Sequence, residues 1–159
     1  MIRAILACDD EWGIGRDNTL PWPHNPADLK WFKDNTLNGV IVMGRNTWES
    51  LPFKPLPNRE NVVITSSDVS PEGADVVCDL RSFNKILPQM KAQGKDVWII
   101  GGGQLVNAML PYIEEIWLSR ISGTYNCDTF LPRELIETTF TLYSSRQDGD
   151  VYVDKWRAY

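Results

Sequence analysis

The run Val97-Trp98-Ile99-Ile100 ends on three consecutive glycines, Gly101-Gly102-Gly103. Its apolar residues are consecutive, not alternate, which suits a strand covered on both faces in a mostly parallel sheet. The glycines leave bare backbone at the strand end, and a helix should follow Gly103 and stop before Pro111. Strand, tight turn and helix form the repeating unit of an α/β fold. Short β-branched runs of the same kind recur at Ile2 to Cys8, Val40 to Met43, Asn61 to Thr65, Ala74 to Cys78 and Glu115 to Ile121, and each predicts a strand.

Between them, Asn25 as N-cap and Pro26 as first helical residue predict a helix through Leu29, Trp31 and Phe32 to about Thr36. A short helix should begin near Arg45. Ser82 could cap another, with Pro88 kinking or shortening it and Gly94 stopping it. After Thr138 the pattern alternates about Asp148-Gly149, as an antiparallel hairpin does. The expected fold is α/β: a single domain over residues 1–159, with a central, mostly parallel sheet of about eight strands. An antiparallel C-terminal hairpin closes it, and about four helices flank it.

Composition narrows the function. With 16 Lys and Arg against 21 Asp and Glu, the net charge is -5. The basic residues are scattered, so no nucleic-acid partner is expected, and an anionic ligand must be captured by a local site. The apolar start before Asp9, Asp10 and Glu11 is too short for a signal peptide or membrane span, so a cytoplasmic protein is expected. Cys8, Cys78 and Cys127 lie far apart in no metal-like spacing and read as reduced thiols, with no metal site. His24, the one histidine, sits among Pro21, Pro23 and Pro26 with no nucleophile signature and reads as a surface loop residue.

In open α/β sheets ligands bind beyond the carboxyl ends of the strands. Three such ends suit phosphate: Gly101-Gly102-Gly103 before a helix, Gly44-Arg45-Asn46-Thr47 with its guanidinium, and Thr65-Ser66-Ser67 with its hydroxyls. Each alone reads as an ordinary turn or a solvated surface, and the glycine spacing is not GxGxxG, because Val106 stands where the last glycine would. Together they point to a ligand with several phosphates, hence a nucleotide and, among nucleotides, a dinucleotide. Asp28, in the first turn of its helix, is explained on its own by the helix dipole. Its neighbours Trp31, Phe32 and Leu29 give it an apolar border, which suits binding a cationic or amide-bearing heterocycle.

In order, Ile14-Gly15, Leu20-Pro21-Trp22, Pro26-Ala27-Asp28-Leu29 with Trp31-Phe32, Met43 to Ser50, Leu56-Pro57-Asn58-Arg59, Ile100 to Gly103 and Asp128-Thr129-Phe130 closely resemble the motifs of dihydrofolate reductase. The resemblance implies a monomeric, NADPH-dependent enzyme that takes dihydrofolate as substrate and antifolates as inhibitors. It implies that Asp28 binds the pterin ring nitrogen and amino group, with Trp22, Leu20 and Ser119 around the reacting end. Ile5, Ala7, Leu29, Phe32, Leu56 and Ile100 would line the pocket, and Arg59 would take a carboxylate of the glutamate tail. NADPH would be held by Ala7, Ile14, Gly15, Asn18, Leu20, Gly44, Arg45, Asn46, Thr47, Thr65, Ser66, Ser67, Gly101, Gly102, Gly103, Gln104, Leu105 and Val106.

The resemblance further implies a cis peptide between Gly101 and Gly102, and a closing loop from Asp9 to His24 with Asp128 and Asp148 as latches. Gln104, Val106, Ser119 and one extra residue between Trp22 and Asp28 depart from the usual pattern. A reductase of riboflavin synthesis on the same fold would lack the Pro-Trp loop and the Asp28 helix. A non-catalytic nucleotide-binding or assembly protein is the other alternative.

Overall fold

The computed structural model describes residues 1–67, 71–149 and 151–159. Its strands are β1 (Ile2–Cys8), β2 (Gly13–Gly15), β3 (Val40–Gly44), β4 (Glu60–Ile64), β5 (Val76–Cys78), β6 (Val97–Gly101), β7 (Glu115–Arg120), β8 (Thr129–Phe130), β9 (Phe140–Asp148) and β10 (Val151–Ala158). Helices α1 (Pro26–Thr36), α2 (Arg45–Ser50), α3 (Leu80–Ala92), α4 (Gly103–Met109) and α5 (Arg133–Thr139) connect them, with a 3-10 turn at Leu110–Tyr112. An 8-stranded sheet runs β5-β4-β3-β6-β1-β7-β10-β9. Pairing is parallel from β5 to β7, and β10 runs antiparallel to both β7 and β9. None of the described helices is long and apolar enough to cross a membrane.

The consecutive apolar runs are covered on both sides. Even positions of β1, from Ile2 to Cys8, join Phe83, Leu87 and Met90 of α3 and Met109 of α4 in one core cluster. Odd-numbered Ile5 joins Ile41, Met43, Trp48, Leu56, Val63 and Trp98 in the other, against which Trp31 and Phe32 of α1 pack. The two-residue period of a strand divides one segment between two cores. Burial pushes the Cys8 thiol up to about 12, so it is an inert core group.

Asn25 caps α1 as expected, its side chain accepting the Asp28 N–H at 3.1 Å. Asn25→Ala should cost about 1 kcal/mol of stability, read as a drop of roughly 2–4 °C in thermal unfolding. Ser82, by contrast, does not cap α3. Asp79 does, accepting the Ser82 N–H at 2.8 Å, so the helix starts at Leu80. Pro88 neither ends nor shortens it, because buried Phe83, Leu87 and Met90 hold the turns on both sides against the sheet. Gly94, at φ +73, takes the left-handed position after its end.

The described residues hold one helix more than the expected four. α5 follows Pro132 with no side-chain cap and so carries no start signal. The 2-stranded sheet of β2 and β8 was also unforeseen, being too short to show a period. The C-terminal hairpin is present, with Val151 opposite Asp148 and a register shift at Lys155/Trp156. The Asp148 side chain, expected to act as a latch, lies outside the described residues.

Candidate active site

The carboxyl ends of β4, β3 and β6 lie side by side, and each leads into glycine or hydroxyl residues. Arg45 opens α2 directly after β3, and its Nη1 donates to Ser67 Oγ at 3.1 Å. The Ser67 N–H donates in turn to Thr65 Oγ1 at 3.1 Å, so guanidinium and hydroxyls form one exposed cluster, with Ser66 and Asn46 exposed beside it. The Gly101–Gly102 peptide is cis, as expected, and Gly101 has φ +134. A Cβ on Gly101 would lie 3.3 Å from Thr47 Oγ1, and one on Gly44 3.8 Å from the Gly102 nitrogen, so the two turns abut around Thr47. Bare backbone at a helix start beside a guanidinium fits the phosphates of a dinucleotide.

Gly103 also serves packing, for a Cβ there would meet Thr129 Cγ2 at 2.8 Å and Ile14 Cδ1 at 3.5 Å. Gln104 is exposed at the helix start, whereas Leu105 and Val106 turn into the core. The Val106 N–H already bonds the Gly102 carbonyl. The side chains of Leu105 and Val106 are thus turned away from the solvent-facing end of the turn. The helical phase beginning at Gly103 sets both orientations.

Asp28 stands in the first turn of α1. Burial pushes its carboxyl above the usual carboxylate range, and the nearby Ser119 hydroxyl moderates the rise. Ser119 Oγ is itself buried, and the Asp28 carboxyl is the polar group beside it. β7 places Ser119 opposite Ala7 and Trp117 opposite Ile5, so all four belong to the sheet face beneath α1. Ile5, Phe32, Leu56 and Ile100 share one apolar cluster. Leu29 and Leu20 do not: at 47% and 58% exposure they form an open rim, not an inner wall.

Arg59 leans over the Phe32 ring at 6.0 Å, donating from Nη1 to Thr36 Oγ1 at 3.1 Å and from Nε to the Pro57 carbonyl at 3.0 Å. Partial burial lowers its pKa. The loop that carries it is fixed by a residue the sequence did not single out. Buried Asn61 accepts the Leu56 N–H at 2.9 Å and donates to the carbonyls of Leu56 at 2.9 Å and Arg59 at 3.0 Å.

The segment from Asp9 to His24 lies along the 121–130 loop through β2 and β8. Asp17 and Asn18 both have positive φ, closing a tight turn bridged by Arg16 and Thr19, while Gly15 and Ile14 sit in β2. Asp128 Oδ2 accepts the Asp17 N–H at 2.9 Å, and the Asp128 N–H donates to the Gly15 carbonyl at 3.0 Å. The Asp17 N–H holds the Asp128 carboxyl below its usual range. Trp22 is buried and meets Tyr125 edge to face at 6.1 Å. Tyr125 also escaped the sequence reading, since only the fold brings the two loops together. His24 is exposed in the loop, as expected.

A family model described as dihydrofolate reductase matches residues 1–155. The dihydrofolate reductase of Bacillus subtilis (strain 168) is 38% identical over 148 residues, covering 92% of this chain and 84% of its own length. That of Buchnera aphidicola subsp. Acyrthosiphon pisum is 40% identical over 131 residues, covering 82% of this chain and 78% of its own. A solved structure of dihydrofolate reductase from Enterococcus faecalis, complexed with NADP(H) and RAB-propyl, matches with a TM-score of 0.83 at 28% identity over 99% of this chain and 96% of that one. Sequence and backbone thus agree over nearly the whole length, and the chain belongs to the dihydrofolate reductase family.

Proposed function

We propose that this chain, as one domain over residues 1–159, reduces 7,8-dihydrofolate to tetrahydrofolate with NADPH. The observation that carries the reading is Asp28, a half-buried carboxyl on the helix whose Trp31 and Phe32 pack against the sheet, in a chain whose β4, β3 and β6 end side by side in phosphate-suited residues. NADPH, when bound, supplies the hydride that goes to the imine carbon of the substrate. Gly44, Arg45, Asn46, Thr47, Thr65, Ser66, Ser67, Gly101, Gly102, Gly103 and Gln104 would hold it with the helix start at Leu105 and Val106, and Ala7, Ile14, Gly15, Asn18 and Leu20 on the loop side.

Asp28 receives the ring nitrogen and amino group of the pterin, and Ser119 Oγ bonds beside it. The negative charge favours the protonated ring, so that the nitrogen adjacent to the imine carbon gains its proton. Trp22 and Leu20 close over the reacting end and exclude water. Ile5, Phe32, Leu56 and Ile100 line the substrate pocket, Leu29 borders its mouth, and Arg59 pairs with a carboxylate of the glutamate tail.

The protein works as a cytoplasmic monomer with no nucleic-acid partner, in keeping with its acidic balance. The test is NADPH oxidation with dihydrofolate, with and without an antifolate. Dihydrofolate-dependent oxidation that the antifolate blocks is expected. NADPH binding without turnover would make the chain a nucleotide-binding protein instead.

A further inference from the structure

Asp9 directly follows β1 and is 1% exposed, yet it carries a carboxylate that no role above uses. Oδ1 accepts the N–H groups of Gly13 at 2.8 Å and Glu11 at 2.9 Å. Oδ2 accepts the Tyr125 N–H at 3.1 Å and the Cys127 thiol at 3.4 Å. Two donors thus come from each of the loops that meet at β2 and β8. The Asp9 N–H donates to the Gly13 carbonyl at 2.9 Å and closes the first turn. Burial alone would raise the carboxyl, but the Gly13, Tyr125 and Glu11 N–H groups and the Cys127 thiol outweigh it and hold it below the usual range.

This junction is tight. A Cβ on Gly13 would lie 2.4 Å from Cys127 Cβ and 3.0 Å from Asp9 Oδ1, so the 9–24 loop can approach only as glycine there. Ile14 comes next, and its Cδ1 and Thr129 Cγ2 are the atoms packed on Gly103 at the glycine turn. A continuous line of contacts therefore runs from the Asp9 carboxylate through Gly13 and Ile14 to the strand end proposed to hold NADPH.

We propose that Asp9 is a positioning residue for hydride transfer: one buried carboxylate joins both loops and sets Ile14 and Thr129 against the Gly101-Gly102-Gly103 turn. The inference rests on the function assigned above. It assigns Asp9 to the cofactor, since its line of contacts ends at Gly103 and it holds Tyr125 by the backbone N–H, not by the ring that meets Trp22.

Asp9→Asn keeps the shape and removes the charge that gathers the donors. NADPH affinity, measured without substrate by quenching of tryptophan fluorescence, should fall about tenfold, and kcat should fall by a similar factor. Dihydrofolate affinity without cofactor, and its KM, should stay within about twofold. Cys127→Ser, which keeps a donor toward Oδ2, should leave all four values within about twofold. Gly13→Ala, which forces the same junction apart with Asp9 intact, should reproduce the selective NADPH loss, and it decides the matter if Asp9→Asn does not fold. Unchanged NADPH affinity and kcat in the folded variant overturn the proposal, as do equal losses for NADPH and dihydrofolate, the mark of general loosening. A parent that binds NADPH but turns over no dihydrofolate overturns the assigned reaction together with this inference. A working parent with an unaltered Asp9→Asn overturns the inference alone.

Discussion

Asp28→Asn should cut dihydrofolate turnover by about 10²-fold or more and leave NADPH affinity within about twofold. The amide keeps the size and most of the hydrogen bonds of the carboxylate. What it loses is the charge that favours a protonated pterin and one acceptor oxygen for the ring nitrogen and amino pair. In the parent, turnover should decline as pH rises, because the proton held between Asp28 and the substrate is lost. In the variant that dependence should flatten.

Stability should move the other way. Burial raises the Asp28 carboxyl in the folded state, so above the ordinary carboxylate range the native chain binds more protons than the unfolded one. Stability then falls as pH rises through that window, and the charged carboxyl is a cost at neutral pH. Asp28→Asn should therefore raise Tm at pH 7 and lose the advantage below the ordinary carboxylate pKa. Asp9 and Asp128, whose carboxyls are lowered, carry the opposite sign and help stability that is lost on acidification. Thermal melts and turnover across one pH series test both halves. Parent-like turnover with the parent's pH dependence would reduce Asp28 to an acid at a helix start.

The central strands and α1 were legible in the sequence because their signals are local. Consecutive apolar residues mark β3 and β6, and Asn25-Pro26 marks a helix start within two positions. The glycine turn was legible for the same reason. What escaped depends on distance along the chain. Asp9 bonds residues 116 and 118 positions away, and nothing near it distinguishes it from the exposed Asp10 and Glu11. Asn61 looked like a strand residue, yet its side chain reaches back to fix Leu56 and Arg59. Leu105 and Val106 were placed by motif position, and only the helical phase after Gly103 reveals that they face the core.

Arg45→Leu should weaken NADPH by roughly 10- to 100-fold and NADH by less than about threefold, a discrimination of about 1.5 to 3 kcal/mol. The two cofactors differ by one phosphate, so a residue that meets it must act on one far more than on the other. Arg45 suits this role by position and by its present partners. Its Nη1 reaches Ser67 at 3.1 Å, and its Nε lies 3.7 Å from Glu49, with side chains 42% and 55% exposed. An exposed pair of that kind contributes little to stability, so the variant should unfold within about 1 °C of the parent and binding losses cannot be blamed on folding. Arg45→Lys should fall between the two, because an ammonium keeps the charge but not the planar fork that grips two oxygens. Raising ionic strength should weaken NADPH binding to the parent and barely change it in Arg45→Leu, since the screened interaction is the one removed. Equal losses for NADPH and NADH would assign Arg45 to a phosphate common to both cofactors, and the selectivity would then have to come from Thr65, Ser66 and Ser67.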